Sequence, residues 1–103
     1  MEKIWELRAE VEMTAGNPDL EPDYARGFMN IVTWATSAQV AEDKVRKYLD
    51  SVHLKLLGVD ESTLVDPSLT YGDVMQDAIA RTLSNPDAII LGTFHAYKTD
   101  PAD

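Results

Sequence analysis

The chain contains no cysteine. That removes disulfides, thiolate metal sites, iron–sulfur clusters and cysteine nucleophiles together, and it is compatible with a reducing compartment. Glycine and proline are sparse, five of each in 103 residues, which argues for an ordered domain over a disordered tail. Positive charge is scarce as well: nine Lys and Arg stand against eighteen Asp and Glu, a formal net charge of −9. Such a balance repels phosphate backbones and anionic lipid, so neither nucleic acid nor membrane is an expected partner. Long apolar runs are missing too. The longest, Ala88-Ile89-Ile90-Leu91, has the length of a buried strand and falls far below the roughly 18 residues of a membrane span. The opening segment from Met1 to Arg8 carries charge at nearly every second position and offers no signal-peptide core. A soluble, cytoplasmic protein without a cofactor is the expectation.

What is present fits one domain over residues 1–103, with a tail at 99–103 expected to fray. Trp5, Leu7, Ala9, Val11 and Met13 alternate with Glu6, Arg8, Glu10, Glu12 and Thr14. This period of two predicts a strand with one buried and one charged face, and the charges suit a sheet edge. Residues 15–26 collect Gly16, Pro18, Pro22 and several acids, the pattern of a long polar loop. From Gly27 to Ala35 aromatic and β-branched residues occupy both parities, so this strand should be central or have its second surface covered by a partner. Thr36 with Gln39 three residues later reads as a capping box, opening a helix to about Val52. Residues 53–66 read as a strand with Gly58 as helix stop or bulge. A second helix follows, capped by Thr70, with Tyr71, Val74, Met75, Ala78, Ile79, Thr82 and Leu83 as its apolar stripe. A last strand runs from Ala88 to about Lys98.

The order ββαβαβ predicts an α+β two-layer sandwich: a four-stranded mixed sheet with both helices on one face. The layout resembles the ferredoxin-like group of folds, although that group ordinarily opens with a strand followed by a helix. The resemblance is one of architecture and carries no functional motif.

Chemistry is thinly signalled. The five glycines are scattered singly, so no phosphate-cradling loop exists, and no two histidines have metal-ligand spacing. His53 falls at the end of the first helix, where a cation meets the negative pole. His95 and Tyr97 should point from one sheet face, either as acid/base or orienting groups for a small ligand or as decoration of a wet surface. Phe28, Val32 and Trp34 share one side of the second strand. They are either core or, if the helices lie opposite, an exposed patch for a homodimer, a protein partner or a small ligand. The acids are unevenly placed: seven fall in residues 1–25, and no basic residue lies between Lys55 and Arg81. That asymmetry suits solubility or a basic partner. The reading favoured by these features is a non-enzymatic interaction or self-association module, with an acidic inhibitor of immunity type as one version. The alternative is a small-molecule-binding protein or enzyme using His95 and Tyr97 on the open sheet.

Overall fold

Residues 3–66, 68–85 and 87–98 are described in a computed structural model; the tail at 99–103 lies outside them. The alternating segment forms strand β1 (Lys3–Met13), and the two-sided segment forms β2 (Arg26–Ala35). The two pair antiparallel from Lys3 opposite Ala35 to Glu12 opposite Arg26. The loop between them holds a single 3-10 turn at Pro22–Tyr24. Helix α1 (Ala38–Ser51) follows, then β3 (Leu54–Leu64), helix α2 (Asp73–Ser84), β4 (Ile89–Leu91) and β5 (His95–Tyr97).

The protein is α+β, and every strand pairing in its sheet is antiparallel. This corrects the mixed sheet expected from the element order. The spatial order is β3-β1-β2-β4, with β5 also on β2. β1 is therefore central, paired on both sides, and not the edge its outward charges suggested. Those charges instead find cross-strand neighbours: Glu12 faces Arg26 on one side and Lys55 on the other, and Arg8 faces Glu61. On the β3 side the register shifts twice, between Arg8 and Ala9 and between Glu10 and Val11, so Gly58 sits beside a bulge.

β4 and β5 are one strand path with a break. Leu91 opposes Ile31 while His95 opposes Phe28, which leaves one more residue between them on this path than on β2, the signature of a bulge. The expected single strand from Ala88 to Lys98 is thus interrupted at residues 92–94. Two glycines permit the fit. A side chain at Gly92 would press 2.8 Å from the Asn30 carbonyl oxygen, and one at Gly27 would meet the His95 carbonyl oxygen at 2.6 Å.

The helices lie on opposite faces of the sheet. Leu7, Ala9 and Val11 of β1 and Met29, Ile31 and Ala35 of β2 pack with Ala41, Val45 and Leu49 of α1. The other parity of β2, with Ile4, packs its Val32 and Trp34 against Ala78, Met75 and Ile79 of α2 and Ile90 of β4. The expectation of both helices on one face is overturned, and with it the two-layer sandwich and the ferredoxin-like resemblance. The reason is the two-sided apolar character of β2: each of its faces is covered by one helix from the same chain. Burial of Leu7, Val11, Ile31, Val45 and Leu49 on the α1 side is complete, each such side chain contributing about 1.5–3 kcal/mol.

The helix ends also shift. Ser37, not Thr36, caps α1 by accepting from the Val40 N–H at 3.2 Å, and Gln39 donates to Asp43 instead of closing a capping box. Gly72, not Thr70, occupies the cap position of α2, with no side-chain bond. His53 ends α1 through its backbone, at a φ of 60° that glycine usually takes, and its carbonyl accepts from Thr14 and Asn17. Within the described residues no helix is long and apolar enough to cross a membrane.

Candidate functional site

The face of the sheet that carries α2 is covered only in part. α2 sits over the end formed by Ile4, Val32, Trp34 and Ile90, and the Trp34 indole N–H fixes it there by donating to the Thr82 carbonyl at 2.7 Å. Only Ala78 and Thr82 of the helix are buried. The expected stripe was wider: Val74 is 79% exposed and Leu83 is 59% exposed. Beyond the helix the same sheet face is left open by the described residues, and it is organised by cross-strand pairs. Arg26 Nε donates to Glu12 at 3.0 Å, and the Tyr97 hydroxyl donates to Glu10 at 2.9 Å. The Phe28 and Tyr97 rings stand 5.7 Å apart, and the Arg8 guanidinium lies 5.7 Å above the Phe28 ring.

A groove of about 480 Å³ runs where α2 meets this open face. Its helical wall is built from Val74, Asp77, Ala78 and Arg81, positions spaced to share one side of a helix. Its floor is Val32 and Ile90, and Glu6, Asn30 and His95 close the sheet side. A smaller hollow of about 320 Å³ adjoins it, sharing Asn30 and His95 and adding Arg8 and Phe28. The larger volume falls in the range of roughly 300–1,000 Å³ usual for ligand pockets.

The sequence-predicted residues are distributed unevenly over this surface. His95 and Tyr97 do share a face. His95 is exposed and lines both hollows, whereas Tyr97 lines neither. The Tyr97 hydroxyl is held above the ordinary tyrosine range, first by desolvation and then by its bond to Glu10, with Arg26 pulling the other way. It is therefore a fixed hydrogen-bond donor. Of Phe28, Val32 and Trp34, the latter two lie under α2, Val32 almost fully buried, and Phe28 alone reaches the open part of the face. Sequence reasoning overlooked Glu6, Arg8, Asn30 and the α2 wall. Their signal was present in the even parity of β1 and β2 and in the exposed half of the α2 stripe, but it needed the placement of α2 to become a site.

Among the described residues no group of three or more His, Asp or Glu side chains could hold a metal ion. No family model, curated protein or solved structure matches the chain.

Proposed function

We propose that this chain is a non-enzymatic binding module whose working surface is the groove between α2 and the open half of the sheet, and that its partner is a protein segment. One observation carries the reading: α2 covers only part of this face, and its exposed Val74 lines a groove together with the apolar Val32 and Ile90. A valine at 79% exposure adds nothing to the fold's own core, and apolar side chains rimming a hollow are common features of recognition surfaces. The sheet edge is a poorer candidate, because two bulges in the pairing of β3 twist it away from regular strand addition.

The second reading, a small ligand held on the sheet face, has His95 in its favour, since that side chain lines both hollows. The Tyr97 hydroxyl, directed to Glu10, supports it less.

The test is a titration of the protein with short capped peptides that carry leucine anchors, followed by amide chemical shifts. The expected perturbations fall on Asn30, Val74, Ala78 and Ile90 and vanish in Val74→Asn. That variant should change stability by no more than about 0.5 kcal/mol, because the site is exposed. Shifts confined to the α1 side, or undiminished binding by Val74→Asn, would overturn the proposal.

A further inference from the structure

The groove carries a charge pattern that its apolar floor does not require. Three carboxylates line it, Glu6 from β1 and Asp73 and Asp77 from the first turns of α2, against one arginine, Arg81. Arg81 is already engaged, 3.8 Å from Asp77. Glu6 and Asp73 have no ion-pair or hydrogen-bond partner among the described side chains. Asp73 suits the positive end of α2, but Glu6 has no such structural use. It stands on the sheet between Val32 and Thr63, half-buried beside the apolar floor, where a lysine or arginine would be the ordinary cross-strand complement. The stretch that supplies the α2 wall contains no basic residue from Leu56 to Ala80. Glu6, partly buried beside apolar residues, together with the exposed Asp73 and Asp77, sets a negative potential over the groove that draws cations to it.

We infer that the groove takes a basic polypeptide segment: an apolar anchor seated between Val74 and Ile90, flanked by Lys or Arg side chains that reach Glu6 and Asp73. This rests on the groove being the binding surface and specifies the chemistry of what enters it. The neighbouring hollow offers the opposite chemistry, since Arg8, Asn30 and His95 present donors around the Phe28 ring. Arg8, however, faces Glu61 across the strands, and Glu10 stands opposite Phe28, so that hollow is set among carboxylates and is the weaker attractor for an anion.

The experiment compares two capped peptides with identical leucine anchors, one flanked by lysines and one by glutamates, on the unaltered protein. The lysine peptide should bind about tenfold more tightly at low ionic strength, two surface charge contacts being enough for that ratio. The preference should shrink as salt rises from about 50 mM to about 500 mM, as screening shortens the reach of the carboxylates. It should also fall in the double variant Glu6→Gln, Asp73→Asn, and in Glu6→Gln alone if the helix end is disturbed. Equal or tighter binding of the glutamate peptide would overturn the inference while leaving the groove itself as a binding surface. Binding of neither peptide would overturn both.

Discussion

Replacing Trp34 should loosen α2 before it loosens anything else. The side chain touches the helix in two ways: it packs against the buried cluster that includes Val32 and Ala78, and its indole N–H donates to the Thr82 carbonyl at 2.7 Å. Trp34→Phe removes the hydrogen bond, worth about 1 kcal/mol net. The Thr82 carbonyl keeps the Asn85 N–H, 3.2 Å away, as a partner, so no buried acceptor is orphaned and the loss should stay near that figure. Trp34→Ala also removes the ring. A fully buried aromatic truncation costs about 3–5 kcal/mol, and the partial exposure of Trp34 brings the expected loss to about 2–3 kcal/mol. Urea denaturation measures the totals, and amide exchange locates them. Amides of residues 78–82 should lose protection in both variants by more than those of Val45 and Leu49 in α1, because only α2 depends on this contact. Equal loss of protection in the two helices, or none in α2, would refute the placement of α2 on the Trp34 face.

Other outcomes follow from the same geometry. Gly27→Ala brings a methyl group to 2.6 Å from the His95 carbonyl oxygen and 2.8 Å from the Phe94 ring, so it should cost about 1–3 kcal/mol in denaturation and push β5 off β2. Burial and the bond to Glu10 raise the Tyr97 hydroxyl in the folded state, so the protonated form is the one that folding favours. That contribution is complete below the ordinary tyrosine value of about 10 and is lost as pH climbs through the raised folded-state value. A stability profile taken between those two values should fall more steeply for the natural protein than for Tyr97→Phe, and parallel profiles would contradict the assignment.

Much of the local structure was legible because local patterns specify it. Ten residues of strict alternation made β1 a strand, and the helix expected from the Thr36 region to about Val52 stands at Ala38–Ser51. Inference from local pattern to neighbour did less well, although β2 is central, as its two apolar parities predicted. Outward charge on β1 suggested an edge, yet the same charges serve a central strand whose exposed face carries cross-strand pairs. The parity of β2 announced two apolar faces, but nothing in its residues says whether the second cover is a helix of the same chain or another molecule. The last strand was read as continuous because a one-residue bulge at 92–94 leaves little trace in composition. The helix caps moved by one or two residues, since Thr36, Ser37, Thr70 and Gly72 are all acceptable starts and tertiary contacts choose among them. The candidate site suffered most: His95 lines both hollows, while the α2 wall became visible only once that helix was set on its face.

The placement of α2 is the claim on which the groove, its chemistry and its partner all depend, and methyl contacts in solution measure it directly. Ile31 and Val32 are adjacent on β2 and point to opposite sides. Their methyl groups should show nuclear Overhauser contacts to different helices, Ile31 to α1 methyls and Val32 to the Ala78 methyl. Contacts from Val32 to α1, or from both residues to a single helix, would contradict the account.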